Sequence, residues 1–285
     1  MIGKTAIVAD SASYLPSVVR DRYGIITVPL TVVLDGQGYR EFVDLDSATF
    51  YRRLSEGATV STSQPSPGQF LEAFEQAKQL GAERVVAVLI GSGFSGTANS
   101  ARIAAELAPL PVRVIDTGQA SFIEGLCVWE ACEVLAAGKS LDEAEAAVQR
   151  TAAAAGNVFI VRGLELLERG GRMGAAPLPG SPGVPVLAFS DGAVRPIGLC
   201  SDVDAALNMM TNYLQAAIAA NPGRTFRVGI SNGAADELAA MLEARVKEFD
   251  FVDEVVQYEV GPAVGAHTGP GCTGIVFVPR PVRFD

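Results

Sequence analysis

The sequence predicts an α/β protein of two domains. Two observations carry this: short aliphatic, β-branched runs alternate with segments of helical periodicity almost throughout, and a stretch rich in Gly and Pro interrupts that alternation past the middle of the chain. The boundary falls near Gly163, giving a first domain of residues 1–160 and a second of residues 161–285. Alternating βα order predicts a parallel or mixed sheet with helices packed on it.

The strand-like runs are Thr5–Ala9, Ile25–Leu34, Arg84–Ile90, Val112–Ile115, Asn157–Val161, Val184–Phe189, Phe226–Ile230, Val255–Val260 and Thr273–Val278. Helical periodicity covers Pro16–Tyr23, Ser47–Glu56, Pro67–Leu80, Gly96–Leu107, Ala120–Ala137, Leu141–Ala155, Leu164–Arg169, Asp202–Ala220 and Ala234–Glu248. Asp35-Gly36-Gln37-Gly38 and Asp191-Gly192 sit between apolar runs and read as hairpin turns. From Gly170 to Pro185 the chain is a loop, because Pro177, Pro179 and Pro182 forbid a regular helix.

Apolar residues make up 49% of the 285 positions and charged ones 19%, which predicts a sizeable core and no long disorder. The net charge of −10 repels phosphate backbones, so nucleic acid is not an expected partner, and docking by charge on an anionic membrane is disfavoured. No run approaches the roughly 20 apolar residues that span a bilayer, so no stable membrane insertion is expected. The N-terminus reads as a strand and not as a secretory signal. Cys127, Cys132, Cys200 and Cys272 lack CxxC spacing and read as free buried thiols of a reducing, cytoplasmic compartment.

Four constellations carry possible chemistry. In Thr62-Ser63-Gln64-Pro65-Ser66-Pro67-Gly68-Gln69, Ser66 with Gln69 is a capping box; Thr62 and Ser63 lie just upstream as hydroxyls beside a helix N-terminus, which favours an anion. Gly91-Ser92-Gly93-Phe94-Ser95-Gly96-Thr97 follows a strand and opens a helix, a ligand-binding arrangement at the carboxyl edge of a sheet. It has neither the Gly-Lys-Thr of a Walker loop nor the second glycine of a nucleophile elbow. His267, the only histidine, lies in the Gly/Pro-rich loop Gly261–Gly271, and with no Cys or carboxylate cluster near it in sequence a metal site is not expected. Gly170-Gly171-Arg172 follows a short helix; the glycines suit a C-cap, and Arg172 suits an anion. Taken alone, these residues point to a small anion held by hydroxyls, helix N-termini and one imidazole.

The segments Asp10-Ser11-Ala12-Ser13-Tyr14-Leu15-Pro16, Val28-Pro29-Leu30, Thr62-Ser63-Gln64-Pro65-Ser66, Ser92–Thr97, Gly170-Gly171-Arg172 and Gly261-Pro262…His267-x-Gly269-Pro270-Gly271 resemble, in order and over nearly the whole chain, the DegV family. The resemblance implies a two-domain DegV-like fold, with a mostly parallel sheet in the N-terminal domain and a smaller C-terminal α/β domain. It implies one medium- or long-chain fatty acid, such as palmitate, stearate or oleate, in an apolar interdomain tunnel. Thr62, Ser92 and His267 would hold its carboxylate, with Arg172 near the same mouth and Ser63, Ser95, Gly96 and Thr268 around them. It further implies no cofactor and no catalysis of its own, the protein presenting the acid to a separate fatty-acid kinase that makes acyl phosphate; a monomer is expected, with the oligomeric state left open by the sequence.

The chain departs from the family pattern in three places. Gly91 stands where a second serine is common, the segment Met173–Val184 is short and rich in proline, and basic residues are missing before Pro185 and at Leu199-Cys200-Ser201. Chain-length preference and kinase docking therefore stay open. Two other readings stay open as well: an acyl hydrolase using Ser92 or Ser95 with His267, and a binding module for another amphipathic acid.

Overall fold

The computed structural model describes residues 1–174, 183–190 and 192–281; Pro177, Pro179, Pro182 and Asp191 of the predicted loop and turn lie outside the described residues. The architecture is α/β, and the chain clusters into two compact units, Met1–Asp46 with Thr59–Ala153, and Ser47–Ala58 with Ala154–Asp285.

The first unit is built on a parallel sheet of β1 (Thr5–Asp10), β2 (Ile26–Val28), β6 (Arg84–Leu89) and β7 (Val112–Asp116), in the order β2-β1-β6-β7. These strands are aliphatic without alternation because helices cover the sheet. α1 (Ser17–Tyr23), α3 (Pro67–Gln79), α4 (Thr97–Ala105), α5 (Phe122–Ala136) and α6 (Leu141–Ala154) accompany it. Phe70 and Phe74, one turn apart on α3, are fully buried against Val85, Ala87 and Leu89; each such side chain contributes about 1.5–3 kcal/mol. The Ser66 capping box that starts α3 forms as its spacing requires.

The predicted run Ile25–Leu34 is two strands. Pro29 offers no N–H to a ladder, and after it the chain leaves the parallel sheet to form a separate antiparallel one. There β3 (Thr31–Leu34) pairs with both β4 (Gln37–Arg40) and β5 (Val60–Ser63). The Asp35-Gly36 turn joins β3 to β4 as a hairpin, with Leu34 opposite Gln37.

The second unit holds a six-stranded mixed sheet in the order β10-β9-β8-β13-β11-β12. Its strands are β8 (Gly156–Ile160), β9 (Val184–Ser190), β10 (Ala193–Cys200), β11 (Arg224–Gly233), β12 (Val252–Glu259) and β13 (Cys272–Pro281). Strands β9 and β10 pair antiparallel, Ser190 opposite Ala193, as the hairpin signal at Asp191-Gly192 requires. Helices α2 (Ser47–Ser55), α7 (Glu165–Arg169), α8 (Val203–Ala220), α9 (Asp236–Val246) and α10 (Pro262–Thr268) belong to this unit. Strand β8, last in the predicted first domain, hydrogen-bonds β13 and β9 here.

His267 therefore does not sit in a loop. Gly261 adopts extended backbone, Pro262 opens α10, and Gly269, at φ +71°, ends it. Pro at the first helical position and Gly just past the end are ordinary helix punctuation. The Gly and Pro density that reads as a loop is the capping of a very short helix.

Candidate functional site

In the first unit, β1 connects to β2 on one side while β6 and β7 continue on the other. The order of the sheet thus reverses between β1 and β6. In open parallel sheets, ligands bind in the crevice outside the carboxyl ends of the strands at such a reversal. The residues there are Asp10 at the end of β1, Ser11 just after it, and the turn Ile90–Gly96 after β6.

That turn is held from three sides. The Ile90 amide donates to Asp10 Oδ2 at 2.9 Å, the Gly91 amide to the Gln119 carbonyl at 2.6 Å, and the Ser92 amide to Asp116 Oδ1 at 3.2 Å. A side chain at Gly91 would overlap the Gly118 carbonyl carbon and bring its Cβ to 2.7 Å from the Gln119 nitrogen. The glycine here is what lets the two backbones touch. Ser92 is exposed, and the Ser95 hydroxyl shares a hydrogen bond with Thr97 Oγ1 at 2.8 Å. Gly96 caps α4 without a side chain, leaving the amides of that helix end to the positive pole of its dipole.

Thr62 and Ser63 are not in a loop but on β5, with Thr62 opposite Val32. Thr62 is half-buried and Ser63 exposed, its hydroxyl 3.4 Å from the Gln64 carbonyl. The Gln64 side chain lies over Gly96, where a Cβ would come within 2.7 Å of its amide atoms. The end of β5 and the start of α4 are thereby brought together.

In the second unit, His267 occupies the last turn of α10, and its imidazole packs on the backbone of Gly170, just after α7. A Cβ at Gly170 would overlap His267 Nδ1 and lie 2.9 Å from Cε1. Arg172 turns back so that its guanidinium donates to the Gly170 carbonyl. Burial, and then the Arg172 charge, lower His267 to about 4, so the imidazole is neutral at pH 7; burial also lowers Arg172. Thr268 is buried, with its hydroxyl donating to the Val264 carbonyl at 3.3 Å. Tyr51 of α2 donates to the Val260 carbonyl at 2.8 Å, and its hydroxyl would be 2.7 Å from a Cβ at Gly265. Gly265 is thus required by the packing of α2 on α10. His267, Arg172 and the Gly170-Gly171 cap form one cluster.

Sequence reasoning missed Gln64 and a buried acidic group, Asp10, Glu41 and Glu124, in the first unit. Its one legible signal is Glu124 itself, an acid inside Phe122–Ala136, where 11 of 15 residues are buried. Among the described residues no group of acidic, Cys or His side chains is arranged to hold a metal ion, and no helix is long and apolar enough to cross a membrane.

The family model described as "uncharacterised protein, DegV family" matches residues 4–280. The chain is 35% identical over 279 residues to a DegV domain-containing protein of Streptomyces coelicolor, covering 96% of this chain and 98% of that one. It is similar to a solved structure from Thermus thermophilus described as fatty acid binding of a DegV family protein. The TM-score there is 0.89 and the identity 31%, over 97% of this chain and 99% of that one. A stearic acid-binding protein from Eubacterium ventriosum aligns with a TM-score of 0.84 at 26% identity, over 97% and 98%. With a family model that matches residues 4–280, a relative 35% identical over 96% of the chain and a matching fold, this chain belongs to the DegV family.

Proposed function

We propose that this protein binds one medium- or long-chain fatty acid, its tail in an apolar tunnel and its carboxylate held by Thr62 and Ser92, with His267 and Arg172 completing the polar end. The observation that carries this reading is the likeness, over 97% of the chain at a TM-score of 0.89, to a DegV protein described as binding fatty acid. The local chemistry supports it. A carboxylate suits hydroxyls and free helix amides, and a neutral imidazole donates from one nitrogen without adding a buried charge. About 15 buried methylenes at roughly 0.8 kcal/mol each set an upper bound near 12 kcal/mol for the tail, less the costs of association and ordering.

The protein in this reading is a carrier that presents the carboxylate to a fatty-acid kinase and performs no chemistry itself. A hydrolytic imidazole is oriented by a carboxylate, whereas the charge that acts on His267 is the Arg172 cation. Titration with stearate, palmitate and oleate tests the reading. Thr62→Val and Ser92→Ala are each expected to weaken binding by about 1–3 kcal/mol, the effect of leaving a buried carboxylate short of a donor. No saturable binding of any of the three acids overturns the function, and unchanged affinity in both variants removes those residues from it.

A further inference from the structure

Asp10, Glu41 and Glu124 are 0%, 1% and 0% exposed, three acids in one acidic protein's interior with no cation acting on Glu124. Their hydrogen bonding is unequal. Asp10 accepts two backbone amides, Ala12 at 3.0 Å and Ile90 at 2.9 Å. Glu41 accepts the Ser11 and Tyr14 hydroxyls. Neither oxygen of Glu124 receives a bond from any N–H or hydroxyl among the described residues; its hydrogen-bonding contact is the Asp10 carboxyl. Two carboxyls bond to each other only when one of them carries a proton.

The donors decide which one. Two amides favour the anion at Asp10, while full burial without a donor favours neutral Glu124. The first-turn position in α5 gives the Glu124 anion some help from the helix dipole, a smaller effect than that burial. Burial raises Asp10 to about 6; burial and then the neighbouring Asp10 and Glu41 charges hold Glu124 well above the ordinary carboxylate range. The groups that face the pair are Glu41, itself bonded by Tyr14, on one side, Cys127 one turn along α5, and the Ile90 amide just after β6. The helix packs directly on the chain after β1, since a Cβ at Gly125 would overlap the Ser13 carbonyl oxygen, and Ser121 adopts φ +57° just before α5.

The same Asp10 carboxylate anchors the amide two residues before Ser92. We propose that Asp10 and Glu124 share one proton and act as a positioning pair for the Ile90–Gly96 turn, so that the turn loosens when that proton is lost. The link to ligand affinity rests on the fatty-acid reading above; the pair itself does not. Deprotonation removes the hydrogen bond between the two acids and puts a second buried negative charge against Asp10, whose repulsion displaces the Asp10 carboxylate and so loosens its hold on the Ile90 amide and the turn.

Three measurements separate the parts. Infrared spectroscopy of the full chain at pH 7 is expected to show a protonated-carboxyl C=O band that Glu124→Gln lacks; absence of the band in the wild type, or its persistence in the variant, overturns the shared proton. In amide hydrogen exchange, Asp10→Asn keeps an acceptor for only one of the two amides. It is expected to raise exchange at Ile90 and Ser92 about tenfold or more, as for loss of a charged hydrogen bond, and unchanged exchange overturns the positioning role. In stearate titration, Asp10→Asn is expected to bind about tenfold more weakly, while Glu124→Gln, which still donates to Asp10, keeps the wild-type affinity at pH 7 and loses its dependence on pH above that. Equal pH profiles for wild type and Glu124→Gln overturn the device. A wild type that shows the band and the exchange pattern but binds no stearate overturns the fatty-acid reading and leaves the pair standing.

Discussion

Gly170→Ala is a way to move the His267 imidazole without touching it. Gly170 has φ −72° and ψ −9°, a right-handed helical conformation that alanine adopts freely, so the substitution adds no backbone strain. Its new methyl would overlap His267 Nδ1 and sit 2.9 Å from Cε1 and 3.0 Å from the Leu166 carbonyl oxygen. The carbonyl is fixed by α7, so the ring has to move. Overpacking of this kind costs about 1–3 kcal/mol, less the 0.4–1 kcal/mol gained by restricting the unfolded chain. For a ligand hydrogen-bonded by that ring, loss of the bond corresponds to about 1–3 kcal/mol, or roughly 5- to 150-fold in affinity. Gly171→Ala is the control: its φ is +67° and nothing lies within 4 Å of a Cβ there. It strains the backbone by about 1–2 kcal/mol and leaves the ring alone. Since His267 is the only histidine, imidazole NMR signals report this ring alone. Gly170→Ala is expected to shift them and weaken stearate binding, and Gly171→Ala to do neither. Imidazole signals and affinity that are unchanged in Gly170→Ala would refute the packing and the role given to His267.

Three other outcomes are expected. Gly91→Ser should destabilise the protein by about 1–3 kcal/mol in chemical denaturation, because its Cβ overlaps the Gly118 backbone; a variant as stable as wild type would show that this backbone can yield. His267 is depressed by burial to about 4, so between its unfolded value near 6.5 and about 4 the unfolded chain takes up a proton the folded one refuses. Its contribution to stability is complete above that window and is lost as pH falls through it. Asp10 and Glu124, both raised, contribute with the opposite sign, favouring the fold at low pH and losing that contribution as pH rises. Difference curves of melting temperature against pH for His267→Gln and Glu124→Gln should therefore slope in opposite directions. Cys127, Cys132 and Cys272 are buried, with thiols raised by burial, and Cys200 is half-buried. A thiol reagent should label Cys200 first in the native protein and reach all four cysteines only after denaturation.

Much of the fold was legible because packing and pattern agree. The aliphatic runs Thr5–Ala9 and Arg84–Ile90 became the central parallel strands, and Ser66 with Gln69 formed the cap their spacing foretold. Three strands and a helix escaped for identifiable reasons. β5 reads Val-Ser-Thr-Ser and shows no apolar alternation, since its pairing with β3 is what makes it a strand. β4 reads Gln-Gly-Tyr-Arg and exists by virtue of the hairpin turn. β10 carries a proline and a glycine, and its ladder with β9 shifts register between Pro196 and Gly198. α10 is short and built from capping residues. The grouping of Ser47–Ala58 with the second unit, and the meeting of Asp10 with Glu124, depend on contacts between segments remote in sequence, which local periodicity does not encode. Of the candidate residues, the hydroxyls and the imidazole were visible by type. The glycines that let Gln64 reach Gly96 and His267 reach Gly170 acquired meaning only in three dimensions.

The lipid-carrier account meets its most direct test in native mass spectrometry of freshly purified protein, followed by organic extraction and identification of what is released. One acyl chain per polypeptide, released as a free fatty acid and replaceable by added stearate, is the predicted result. A polypeptide that runs at its bare mass, yields no acyl chain on extraction and gains no adduct with stearate would contradict it.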